Sequence, residues 1–194
     1  MSQLEIMLRT NIRLLNSIEQ LYAAQPRKED IILRTFSAGE RLLEQDCKAE
    51  KVFIIQEGLV KCYLTEKNDK RYLFEFLGKG EIVGEIEAIK KQNCLCTIEA
   101  ISPVTAYSIS IPFFLSLIDR DPEIPKLLLF ELTDRISNTS SRASFQQLYT
   151  VEYGLSKLLQ LQEVEKIRLS KEDMAAYLGI SVRSLNRTLK QLES

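Results

Sequence analysis

The sequence predicts an α+β chain: an amphipathic helix, then a β-sandwich or barrel, then a long helix leading into a helix-turn-helix. Three observations predict it. Apolar residues recur at helical spacing through the first two dozen residues. Short β-branched and aromatic runs, punctuated by turn residues, fill the stretch from Ile31 to Ser110. Helical periodicity then returns and continues to the C-terminus.

In the first segment Leu4, Met7, Leu8, Ile12, Leu15, Ile18 and the Leu21–Tyr22 pair fall on one helical face. The next contains VFIIQEGLVKCYL, RYLFEFL, CLCTIEAI and VTAYSIS as strands, separated by QEG, TEKNDK, GKGE and KKQN as turns. Many short strands at this spacing suit two packed sheets or a barrel. IPFFLSLIDR reads as a short helix with Pro112 in its first turn. A longer helix follows, with Asp121 as its N-cap and Pro122 at its first position. Its stripe runs Leu128, Leu132, Ile136, Thr139/Ser140 and Ala143, narrowing to small residues where two helices could approach closely. Packing on the chain's own barrel is the alternative; the heptad-like spacing favours self-association.

The last block starts near Thr150 with the amphipathic VEYGLSKLLQLQ. Ser170 with Asp173 makes a capping-box-like start, Met174, Ala175 and Leu178 supply a buried face, and Gly179 ends that helix. Ser181 caps a second helix, whose buried side is Leu185, Leu189 and Leu192. Arg183, Arg187 and Lys190 share its other face, which suits a major groove and its phosphates. A structural helical hairpin with a solvated basic side is the competing reading.

Bulk composition narrows the function. The 26 Lys+Arg and 27 Asp+Glu leave a net charge of −1, so any nucleic-acid face has to gather its basic residues locally. Histidine is absent, which excludes His-dependent triads and the commonest general base and zinc ligand. Gly-Glu pairs at strand corners are poor evidence for carboxylate catalysis, so no enzyme is expected. No apolar run approaches a membrane span, and the N-terminus lacks the features of a signal peptide. The expectation is a cytoplasmic chain without structural disulfides or a membrane partner.

Helix, glycine-punctuated barrel, long helix and helix-turn-helix, in that order, resemble the cyclic-AMP receptor/fumarate-nitrate regulator (Crp/Fnr) family of bacterial transcription factors. The stretches that carry the resemblance are FSAGERLLEQD (36–46), VFIIQEGLVKCYL (52–64), FLGKGEIVGEIEAI (76–89) and KEDMAAYLGISVRSLNRTLKQLE (171–193), with glycines 39, 58, 80 and 84 at the barrel corners. The resemblance implies an N-terminal helix and a jelly-roll barrel of cyclic-nucleotide-binding type over 1–120, a dimerisation helix over 121–149 and a DNA-binding helix-turn-helix over 150–194. It implies a homodimer that binds duplex DNA, answers to a small effector of unknown identity and has RNA polymerase as a further partner. Lys171, Ser181, Arg183, Ser184, Asn186, Arg187 and Lys190 would face DNA. Leu128, Leu132, Ile136 and Ala143 would form the dimer seam.

The effector site departs from the family pattern. Cyclic-nucleotide binders place a Gly-Glu pair against the ribose and an arginine some ten residues later against the phosphate. Gly84-Glu85 fits the first half, but the arginine position falls on Leu95, followed by Cys96 and Thr97. Cyclic-AMP binding is therefore not expected, and GEIVGEIEAIKKQNCLC reads as a barrel corner that has lost its key residue. Thr139 and Ser140 match a pair that faces adenine in cyclic-AMP-binding relatives, although a tight helix seam also calls for small hydroxyl residues. Fumarate-nitrate regulators hold an iron–sulfur cluster through cysteines. Here Cys47 is a loop residue, while Cys62, Cys94 and Cys96 are placed on strands, with Cys94 and Cys96 on one side. No cofactor is expected; redox sensing or a cluster is the alternative, against cysteines as apolar filler. The sequence given ends at Ser194, directly after the second helix of the reading head, so the family's β-hairpin wing is expected to be missing.

Overall fold

A computed structural model describes residues 8–25 and 29–192. In chain order the elements are β1 (Leu8–Arg9), α1 (Ile12–Ala24), β2 (Ile31–Phe36), β3 (Arg41–Leu43), β4 (Lys51–Glu57), β5 (Val60–Thr65), β6 (Arg71–Leu77), β7 (Ile82–Val83), α2 (Glu85–Lys90), β8 (Thr97–Ala100) and β9 (Val104–Ser110). Five further helices complete it: α3 (Ile111–Arg120), α4 (Glu123–Leu148), α5 (Val151–Glu165), α6 (Lys171–Leu178) and α7 (Val182–Leu192). One sheet has the strand order β1-β6-β5-β8-β3 and the other β2-β9-β4-β7.

Side-chain alternation makes three layers of core from these two sheets. In β4, Phe53 and Ile55 point between the sheets, where they meet Phe36, Val60, Leu77, Ile98 and Ala106. Val52 and Ile54 point out, onto Leu14, Leu15 and Ile18 of α1, Phe114 of α3 and the start of α4. On the other sheet Leu59, Tyr63, Leu73 and Phe76 face out and receive the C-terminal helices through Leu155, Leu158, Met174, Tyr177 and Leu185. The barrel is thus sandwiched, with α4 crossing from one outer face to the other.

Two breaks in regularity position the site. The β5–β6 pairing shifts between Cys62, opposite Glu75, and Tyr63, opposite Leu73. The extra residue lets neighbouring side chains of β6 turn to one side, as bulges do beside functional sites. At the β7–α2 corner Gly84 adopts φ +89°, and a Cβ there would stand 2.8 Å from the Lys51 carbonyl oxygen. Only glycine fits both demands.

The α+β architecture expected from the sequence is the one found. Four local expectations are corrected. The first helix begins at Ile12, because Leu8 and Arg9 instead pair in parallel with Phe76 and Leu77 of β6; Leu4 and Met7 lie outside the described residues. CLCTIEAI is strand only from Thr97, since the backbone of Cys94 is bonded to that of Asp46 and Cys47. The long helix starts at Glu123, whose N–H donates to the Asp121 carboxylate at 3.0 Å. Leu192 is exposed rather than buried, and Thr188 fills the inner face of α7 in its stead.

Candidate effector cavity and nucleic-acid interface

Between the β5–β6–β8 sheet, the β7–α2 corner and α4 lies a cavity of about 300 Å³. Gly84, Glu85, Leu95, Cys96 and Thr139, read from the sequence as effector-pocket candidates, line it. Thr97 does not: it is buried with its hydroxyl oxygen accepting from the Gln45 N–H at 3.1 Å. Ser140 also turns away, donating to the Ile136 carbonyl at 2.9 Å. Leu95 stands 59% exposed at the mouth, where it offers no charge to a phosphate.

The acidic residue of the corner is already engaged. Glu85 is buried, and Arg135 of α4 donates to its carboxylate and, at 3.1 Å, to the Ile82 carbonyl. Burial pushes the Glu85 carboxyl upward against the pull of Arg135. Behind it sits a network. Arg9 of β1 bonds Glu75 at 3.0 Å, pairs with Glu81 at 2.9 Å and bonds Glu131 of α4. Asn11 donates to the second Glu131 oxygen at 2.7 Å. Glu81 is too deep for these cations to offset its burial fully, and its carboxyl is pushed up to about 7.

Reading the sequence missed Arg135, Asn138 and Arg142, which line the cavity from α4 together with Thr139 and Ala143. Their signal was present as spacing: Ile124, Leu128, Glu131, Arg135, Asn138 and Arg142 are separated alternately by four and three residues. The first two are apolar and buried on the chain's own barrel, so Leu128 is corrected from the exposed seam to the core. The outward face carries Leu129 and Ile136, 67% and 69% exposed, while Leu132 is half-buried and Ala143 lies at the cavity rim.

The cysteines do not gather. Cys62 and Cys96 are in thiol–thiol contact at 2.8 Å beside the cavity, whereas Cys47 and Cys94 border a separate cleft. Cys94 and Cys96 precede β8, which removes the strand alternation expected to align them. The hydrogen bond with Cys96, then burial, raises the Cys62 thiol, and burial pushes Cys94 up to about 11. Both disfavour the thiolate that oxidation or ligation needs. Among the described residues no group of three or more His, Cys, Asp or Glu is placed to hold a metal ion.

The helix-turn-helix forms as its caps dictate. Ser170 accepts from the Asp173 N–H at 2.9 Å, Gly179 takes φ +68°, and Ser181 accepts from the Ser184 N–H at 3.1 Å. Leu185 is fully buried, which leaves Arg183, Arg187 and Lys190 exposed on the opposite face. Lys171 donates to the Asn186 side chain at 2.7 Å, joining the two helices of the head.

The head also rests on the barrel. Lys61 of β5 bonds both Asp173 oxygens at 2.8 and 2.9 Å and lies 3.0 Å from Glu99. Burial works to lower the Lys61 ammonium, but the bonds to Asp173 and Glu99 outweigh it and leave it raised. Tyr177 stacks on Phe76 with ring centres 5.2 Å apart, and Arg142 caps the Tyr177 ring at 4.2 Å. Asp173 therefore serves the barrel contact rather than the reciprocal half of a capping box.

Known proteins share this fold. Residues 33–121 match the cyclic nucleotide-binding domain family. The chain is 23% identical to the HTH-type transcriptional regulator Cmr of Mycobacterium tuberculosis, over 85% of this chain and 68% of that one. It is 24% identical to the cAMP-activated global transcriptional regulator CRP of Pasteurella multocida, over 83% and 82%. Among solved structures, the c-di-GMP responsive global regulator CLP of Xanthomonas campestris superposes with a TM-score of 0.77 at 19% identity, covering 92% of this chain and 91% of that one. A CRP-family transcriptional regulator from Thermus thermophilus superposes at 0.71 with 16% identity, covering 82% and 84%. No helix among the described residues is long and apolar enough to cross a membrane.

Proposed function

Since the chain is a homologue of Crp/Fnr-type transcriptional regulators with a cyclic nucleotide-binding domain at residues 33–121, we propose that it works as a homodimeric, duplex-DNA-binding regulator whose barrel answers to an effector other than cyclic AMP. The observation that carries the DNA reading is the exposed face of α7, where Arg183, Arg187 and Lys190 stand opposite the buried Leu185. A basic helix held across a capped turn presents its side chains to base edges and phosphates of a major groove. Ser184 and Asn186 lie beside that face, and Lys171 and Ser181 at its rim. The outward face of α4 supplies the seam to a second copy, with Leu129 taking the place of Leu128.

Two features argue against cyclic AMP. On the family pattern Leu95 falls where the phosphate-binding arginine would stand, and Glu85 is already bound by Arg135. An anionic phosphate left without a guanidinium forgoes about 1.5–3 kcal/mol of charge-assisted bonding. On this reading the effector acts by binding one arrangement of the two reading heads better than the other.

Duplex binding followed by fluorescence anisotropy across a salt series tests the DNA reading. Affinity falls steeply as salt rises, and Arg187→Ala lowers the log–log slope by about one. Duplex binding that is absent at low salt contradicts it and leaves a sensing module without DNA binding.

A further inference from the structure

Arg142 is buried, only 8% exposed, yet it has no carboxylate partner among the described residues. The other fully buried cations, Arg9 and Lys61, each have at least one, as does the half-buried Arg135. Arg142 instead donates to the carbonyls of Leu73 and, at 3.4 Å, Tyr177, and lies over the rings of Tyr72 and Tyr177. Its Nε is buried without a hydrogen-bond partner, as are Arg135 Nε and Asn138 Oδ1. All three residues line the same cavity.

A buried charge without a counter-ion is costly, and native interiors pair such groups. The cavity beside Arg142 is where a counter-ion has room to enter. Its remaining wall is largely carbon and sulfur, from Leu43, Phe74, Leu77, Ile98, Cys62 and Cys96. Three carboxylates also border it, but each is engaged: Glu75 by Arg9, Glu85 by Arg135 and Glu87 by the Leu95 N–H at 3.3 Å. Those carboxylates disfavour a multiply charged guest, and the apolar wall disfavours one rich in hydroxyls.

We infer that the cavity takes a small, largely apolar monocarboxylate that supplies the missing counter-ion of Arg142. The inference rests on the reading of this cavity as the effector site and names its ligand class. It also gives the ligand a route to the reading head, because the guanidinium that meets the carboxylate is the one that caps Tyr177 of α6. An acid bound at Arg142 and the present grip on Tyr177 draw on the same donors, so occupancy and head position are coupled in both directions.

Calorimetric titration of the full chain with phenylacetate, octanoate, their primary amides and cyclic AMP tests this. At least one acid binds about tenfold or more tightly than its amide, the advantage of a charge-assisted bond. Arg142→Met abolishes that preference, whatever stability it loses with the bonds to Leu73 and Tyr177. Arg142→Lys keeps part of the preference and decides the matter if the Met variant does not fold. The inference is overturned if neither acid outbinds its amide at millimolar concentration, if Arg142→Met retains the preference, or if cyclic AMP outbinds both acids. Duplex binding is measured separately without acid. Retained duplex binding with no acid preference sinks this inference alone, whereas acid binding without duplex binding sinks the regulator reading alone.

Discussion

The two faces of α4 reverse the usual arrangement of a surface helix. Its barrel-facing side is apolar at Ile124, Leu127 and Leu128 and then turns to Glu131, Arg135, Asn138 and Arg142, all buried or half-buried. Its outward side carries Leu129, Phe130 and Ile136, each more than 60% exposed. Hydrophobic burial alone would rotate the helix the other way. Two things hold the observed rotation: a paired charge network that reaches Arg9, Glu75, Glu81 and Glu85, and, as proposed above, a second chain on the outward side. The inner face sets where α4 sits; the outer face sets what it meets.

The inner face is where a single change does most harm. Arg135→Ala leaves Glu85 and Glu131 buried without that guanidinium, and unfolding free energy falls by about 3–5 kcal/mol in denaturant titration. Replacing Arg135 and Glu85 together by Met and Leu recovers most of the loss, because no buried charge is then orphaned. A double variant as unstable as the single one would break the account of this face.

Next in size is a pH effect on the same network. Glu81 holds its proton up to about pH 7 when folded and releases it near 4.5 when unfolded, so the folded state binds more protons between those values. This group's contribution therefore falls as pH rises through that window, by about 3 kcal/mol at most, and is level above it. Glu81→Gln flattens the slope. A slope of the opposite sign would mean that Arg9 rather than burial governs Glu81.

The outer face predicts a smaller effect on a different quantity. Ile136→Glu weakens self-association by about 2 kcal/mol or more, read by sedimentation equilibrium, since the seam would then bury a charge from each chain. Unfolding of the isolated chain shifts by no more than about 0.5 kcal/mol, as for exposed positions generally. A change that unfolds the chain would place Ile136 in its own core instead.

This contrast also explains what the sequence could disclose. The head was legible because its signals are local: Ser170, Gly179 and Ser181 satisfy backbone groups within their own turns. Strand runs such as VFIIQEG were legible because each residue reports its face by alternation. The inner face of α4 was not, since charged residues at helical spacing read as solvated. Their partners lie far off in the chain: Arg9 is 122 residues from Glu131, and Glu85 is 50 from Arg135. Following the apolar residues instead carried the predicted stripe from buried Leu128, through half-buried Leu132, to exposed Ile136. Cys94 and Cys96 failed similarly, because a loop contact with Asp46 and Cys47 takes the backbone bonds that a longer β8 would have used.

As proposed, paired α4 helices set two α7 helices for adjacent turns of duplex DNA. Selection of bound duplexes from a random pool, with the wild-type chain and with Ile136→Glu, tests it most directly. The wild type selects an inverted repeat with half-sites about 10 bp apart, centre to centre, and the variant loses it. No enriched duplex, or a single half-site recovered equally by both proteins, would contradict it.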